Sequence, residues 1–236
     1  MTTMTQAPKR PDHIRVYEDD FFKIREPFSA LSHFAGFLLA IIFLPVLLIH
    51  ASSFGASRAS MSSLGVYMIT MILLYGASAS YHAFNISKKA NRILKKIDHM
   101  SVFVLIAGTY TPVCVTVLKG QAGEILLKAI WGICLLGIFF KAFFVYCPRW
   151  VSSVIYVGMG WAAVSVLPQL LSLLPQGAFL LLLGGGLLYT IGAVIYALKL
   201  SVFTNEVFGN HELFHLFVLA GSVCHYLMML LYIAKM

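Results

Sequence analysis

Of the 236 residues, 17 are Lys or Arg and 9 are Asp or Glu, while 60% are hydrophobic and the mean hydropathy is +0.87. A soluble domain is about half apolar and about one quarter charged, so 11% charge leaves too little polar side chain to cover a water-facing surface. These numbers exclude an ordinary soluble enzyme, a disordered chain and a disulfide scaffold. The net charge of +8 does not point to nucleic acid, because the charges fall between long apolar runs and form no stripe interleaved with aromatics.

In chain order, about 28 mostly polar residues come first, with no small-residue cleavage site behind a short apolar core. The first apolar run is therefore expected to remain as an uncleaved span. Seven runs of spanning length follow, at 31–51, 60–84, 97–118, 125–147, 151–174, 178–199 and 211–234. Backbone amides in hydrocarbon must bond within their own segment, and no alternating barrel pattern is present, so the spans are expected to be helices. Short turns such as Lys119, Gly120 and Gln121 or Pro175, Gln176 and Gly177 join them, and Pro45, Pro112 and Pro168 fall inside spans. The expected fold is an all-α seven-transmembrane helix bundle, 29–236, behind an arm, 1–28. Gly184, Gly185 and Gly186 provide small residues for close helix packing. Cys114, Cys134, Cys147 and Cys224 form no CxxC pattern and are expected to be small buried hydrophobes.

Orientation follows from the basic residues. With the N-terminus cytoplasmic and the C-terminus outside, only Arg58, Lys119, Lys128 and Lys235 lie on the outer side and the other 13 lie inside. Lys141 and Lys199, near inner helix ends, are expected to snorkel. The basic cluster at 87–96 is expected to set topology and touch anionic headgroups.

The chemistry is sought among polar residues that a membrane makes expensive. Asp12, Glu18, Asp19, Asp20 and Glu26 lie in the arm, and Glu124 and Glu206 lie in loops. Asp98 and Glu212 stand at the starts of apolar spans, both on the inner side. There they meet His82, in the last turn of the second span, and His211 and His215, four apart on one face of the seventh. Two imidazoles at i and i+4, a third from another helix and a nearby carboxylate suit Zn²⁺, with an open position for water. Ser78 lies one turn deeper than His82 on the same face. It either bonds its own helix carbonyl or, beside a metal, holds water or a carbonyl oxygen. His33 opens the first span. His99 points about 100° away from Asp98 and is expected to pack or hydrogen-bond, and His225, roughly 15 Å deeper than His215, is expected to make an internal hydrogen bond. His13 and His50 carry no further signal.

At these residues the sequence resembles the haemolysin III branch of the progestin and adiponectin receptor (PAQR) superfamily, related to alkaline ceramidases. The resemblance covers nearly all seven spans. It rests on SASYH (78–82), KKIDH (95–99) running into AGTYTP (107–112), and HELFHLFVLAGSVCHY (211–226). Leu31, Ser32 and His33 look like the first-helix motif, whereas Arg25, Glu26, Pro27 and Phe28 depart from the usual pattern. The resemblance implies a cytoplasmic-side zinc site in a bacterial inner-membrane protein. His82, His211 and His215 look like direct ligands, and Asp98 looks like the residue that ligates zinc or holds its water. Ser78 looks like its partner in the second shell.

The implied activity is zinc-dependent hydrolysis of a lipid amide, ceramidase-like. Asp98 would move the proton and Ser78 would steady the oxyanion. Membrane lipids are then the expected partners, with no nucleic acid. Three other readings stand beside it. HELFH also fits H-E-x-x-H, with Glu212 as a protease base. The zinc could be structural, in a non-catalytic sensor or regulator of membrane energy or lipid homeostasis. A released cytolysin would have to insert from water, whereas this chain looks made for co-translational insertion.

Overall fold

The computed structural model describes residues 24–200 and 208–236. Most of the expected arm, with Lys9, Arg10, Asp12, His13, Arg15, Glu18, Asp19, Asp20 and Lys23, lies outside the described residues, as does Glu206. The helices in order are α1 (Pro27–Ser53), α2 (Arg58–Ala83), α3 (Lys88–Pro112), α4 (Gly120–Phe143), α5 (Arg149–Gly160), α6 (Leu167–Leu173), α7 (Gln176–Leu198) and α8 (Asn210–Leu231). A π-helical segment, Val113–Leu118, prolongs α3, and a 3₁₀ segment, Trp161–Val166, joins α5 to α6. Counting α5 with α6, seven helices among the described residues are long and apolar enough to cross a membrane, as the seven apolar runs require.

Helix ends follow caps rather than the edges of apolarity. Ser57 accepts the Ser60 N–H at 3.1 Å to start α2, and Ser87 accepts the Ala90 N–H at 3.1 Å to start α3. The basic cluster at 87–96 is therefore mostly the first turns of a helix that begins nine residues before its apolar part. Pro27 occupies the first turn of α1, where its missing N–H costs nothing.

The third span is central: 72% of its most apolar stretch is buried, against 17% to 28% in the first, fourth, fifth and sixth. It packs against α2 and α4, while α8 packs against α7 and α1. Large apolar side chains point outward, among them Leu31, Ile42 and Ile49 on α1 and Leu135, Leu136 and Phe139 on α4. Hydrocarbon is their solvent, so the interior keeps the polar groups. Of the three adjacent glycines, Gly185 has a packing role. A Cβ there would come 2.5 Å from His225 Nε2, whereas Gly184 and Gly186 face open space.

Lys141 does not snorkel. It lies on the inner face of α4, fully buried, and its ammonium donates to the Ser152 hydroxyl and to Cys147 Sγ at 3.3 Å. Polar partners on and just before α5 remove the need to reach the interface. Cys147 is thus a polar contact, while Cys114 and Cys134 are the buried hydrophobes expected, and all four cysteines are free.

The interruption of the fifth span frees backbone groups that hydrocarbon would leave unpaired. Tyr110, reaching from α3, satisfies them: its hydroxyl donates to Gly160 O at 2.6 Å and accepts the Ala163 N–H at 2.8 Å. Tyr110→Phe is expected to cost about 1–3 kcal/mol by leaving both groups unpaired. Thermal unfolding of the detergent-solubilised protein checks this, and an unchanged midpoint would show that water or lipid already serves those groups.

Candidate metal centre

The residues that converge come from three helices and one strap. His82 lies in the last turn of α2 while α8 begins at Asn210, so at one end of the bundle His82, His211 and His215 meet. Their nearest ligand atoms all lie within 4.8 Å of one another, and among the described residues they form the one such group of three. His82 and His215 are buried, and the His211 side chain is 30% exposed, which leaves an open side. The Nε2 atoms of His82 and His211 are 3.4 Å apart. His215 Nδ1 and His211 Nδ1 have no well-aligned hydrogen-bond partner. Buried imidazole nitrogens turned toward each other could hold a metal ion.

Glu26 was not expected here. Its N–H donates to His82 O at 3.0 Å and the Arg25 N–H donates to Ala83 O at 3.3 Å, so the segment before α1 is strapped to the end of α2. That contact delivers the Glu26 carboxylate to His82 Nδ1 at 2.7 Å and within 3.8 Å of His211 Nε2. Burial works against the carboxylate's charge, but the His82 hydrogen bond and the charges of His82, His211 and Arg25 outweigh it and lower its pKa to about 2. An ionised Glu26 accepts the Nδ1 proton of His82 and leaves Nε2 free as a ligand atom, the usual carboxylate–imidazole support of a metal site. Pro27 directly after Glu26 marks a helix start at the histidine end, and that was the available signal in the sequence.

His33 also joins the cluster. Its ring stacks on His215 with centroids 3.8 Å apart and meets Tyr75 edge-on at 5.0 Å. It is 3% exposed and neither ring nitrogen has a well-aligned hydrogen-bond partner. Asp98 stands outside the three-histidine group but lines the same cavity, as Ser78 and His82 do. His99 lines the cavity too, and His225 makes the expected internal bond, from Nε2 to Leu182 O at 3.3 Å.

Glu212 is engaged elsewhere. One carboxylate oxygen accepts the Gly209 N–H at 3.0 Å at the start of α8, and the other accepts the Ser29 hydroxyl at 3.2 Å. A cavity of about 590 Å³ opens from the histidines into the bundle and is lined mostly by apolar side chains.

Residues 21–226 match the profile of the family described as Haemolysin-III related. The chain is 38% identical over 215 residues to the Hemolysin-3 homolog of Bacillus subtilis (strain 168), covering 91% of this chain and 97% of that protein. It is 36% identical over 205 residues to Hemolysin-3 of Bacillus cereus, covering 87% and 90%. With its seven apolar helices and these bacterial relatives, the protein is a multi-pass protein of the bacterial plasma membrane, and the chain belongs to the haemolysin III family.

Proposed function

We propose that this protein is a zinc-dependent hydrolase of lipid amides, working at the cytoplasmic face of the membrane. The observation that carries the reading is the 3.4 Å between His82 Nε2 and His211 Nε2, with Glu26 on the far nitrogen of His82. Two nitrogens bound at about 2.05 Å to a tetrahedral ion stand about 3.3 Å apart, so these two rings are already spaced for zinc. His82, His211 and His215 would hold the ion. Such an ion supplies Lewis acidity and lowers the pKa of its water to about 7. The cytoplasmic assignment rests on the 13 basic residues expected on the histidine side.

The chain's own groups then have distinct tasks. Glu26 fixes the His82 tautomer and raises the ring's basicity. Asp98 would take a proton from water as its oxygen adds to the amide carbonyl, and pass it to the nitrogen as the C–N bond breaks, so that a carboxylic acid and an amine leave. Ser78, on the same cavity wall, would position that carboxylate. The apolar cavity receives the acyl chain and keeps bulk water from the reacting bond.

The second reading, a structural zinc in a sensor or regulator, draws on the same histidines. They tie α2 to α8, and His33 stacked on His215 brings in α1. Metal analysis is expected to find one zinc per chain in the wild type and none in His82→Ala or His211→Ala, with Glu26→Gln binding about 10- to 100-fold more weakly. Wild type without stoichiometric zinc would sink both readings.

Turnover separates them. Asp98→Asn is expected to keep zinc and to lose about 10²- to 10⁴-fold in hydrolysis of an N-acyl lipid, while Glu212→Gln chiefly lowers the melting temperature. Activity killed by Glu212→Gln and spared by Asp98→Asn would make Glu212 the base. If the zinc protein turns over no lipid amide and chelation only lowers its melting temperature, the structural reading takes the place of the hydrolase.

A further inference from the structure

The wall of the cavity beside the histidines sets two cations, Lys95 and Arg149, among three carboxylates, Glu26, Asp98 and Glu212. Lys95 lies three residues before Asp98 on α3, about 4.5 Å nearer the histidine end. Unlike Lys88, Lys89 and Arg92, which are exposed, Lys95 is partly buried and lines the cavity. Its charged neighbours are Lys141, Arg149 and Arg25 of like sign and Asp98 of opposite sign. Arg149, in the first turn of α5, is exposed but also lines the cavity.

Three of these cations rest on a tyrosine: Lys95 on Tyr146 at 4.7 Å, Arg149 on Tyr196 at 4.9 Å and Arg25 on Tyr81 at 4.2 Å. Tyr196 in turn lies 5.3 Å from the His211 ring, which places Arg149 two contacts from the metal centre. Of the carboxylates on the same wall, Glu26 is engaged by Arg25 and His82, Glu212 is engaged by Ser29 and Gly209, and Asp98 lies beside Ser78. Among the described residues neither Lys95 nor Arg149 has a carboxylate partner within ion-pair distance. A topology determinant has only to be on the correct side of the membrane. These two side chains also face into a cavity that is apolar beyond the histidines, past Leu118, Leu126, Leu170 and Phe179.

We infer that Lys95 and Arg149 form an anion seat at the mouth of the cavity. It takes the carboxylate or phosphate of a single-chain amphiphile whose acyl chain lies in the apolar interior. The inference rests on the hydrolase reading for its consequence about substrate. With the seat about one helical turn from Asp98, the anionic group belongs a few bonds from the amide, as in an N-acyl amino acid. A neutral N-acyl amino alcohol would leave the two cations without a partner. Arg149, with its planar donors, suits a bidentate oxyanion, and Lys95 adds a point charge.

Binding is the test, because it needs no turnover. The full-length protein in nanodiscs is titrated with hexadecyl phosphate, with hexadecanol and with inorganic phosphate, and melting temperature and calorimetric Kd are recorded. Hexadecyl phosphate is expected to bind the wild type and to bind Lys95→Gln/Arg149→Gln about ten- to hundredfold more weakly. Hexadecanol should bind the two proteins alike, and Lys95→Arg should restore most of the loss. Gel filtration and circular dichroism check that the variants are folded.

Equal binding of hexadecyl phosphate and hexadecanol overturns the seat, as does a double variant that binds hexadecyl phosphate like wild type. Inorganic phosphate binding as tightly as the amphiphile would make the ligand a free anion and overturn the lipid assignment. In hydrolysis, the seat predicts that the double variant raises KM for an N-acylglycine without changing KM for an N-acylethanolamine. Absence of any hydrolysis alongside selective binding of hexadecyl phosphate would count against the hydrolase alone.

Discussion

Inside a bilayer a polar atom must find its partner within the bundle, and this constraint arranges the rest of the molecule. Many large apolar side chains are turned out to lipid, and tyrosines, serines, threonines, histidines and one lysine are buried within the apolar core. Tyr75 donates to Ser222 at 2.7 Å and Tyr189 lies 2.9 Å from the same hydroxyl, so a single serine ties α2, α7 and α8 together. Tyr110 serves the broken fifth span in the same way. The histidine cluster differs because several of its nitrogens have no partner, and a metal ion would serve where hydrogen bonds do not.

How much of this could be read from the chain depended on whether a residue's role is local. Seven spans were legible because hydrocarbon thickness sets a run length. His82, His211 and His215 were legible because helical spacing and odd or even span number put them at one end. Glu26 was not, since its place depends on two backbone hydrogen bonds between a non-helical strap and α2, which no periodicity records. Lys141 was misjudged for a related reason. Snorkelling is the expectation for a lone lysine, and its partners Ser152 and Cys147 follow a turn in the chain. Helix starts were off where Ser87 caps a polar first turn, because apolarity marks the membrane and not the helix.

The two carboxylates near the histidines show how surroundings divide work between like groups. Glu26 is pinned by a hydrogen bond to a histidine ring and stays ionised, which suits an orienting role. Asp98 has no histidine hydrogen bond and lies on the cavity wall beside Ser78. Glu212, with one oxygen bonded to α1 and the other to the start of α8, is held as a link between two helices. The H-E-x-x-H spacing is therefore met here by a glutamate that closes a helix end.

Lys141 gives the bundle a built-in chemical reporter. Lys88, Lys89 and Lys128 are exposed, whereas Lys141 has no accessible surface. Amine-reactive reagents can reach it only if α4 and α5 come apart. Its modification relative to the other lysines, read peptide by peptide, therefore measures how much of a preparation retains its native interior, whether or not any substrate is known.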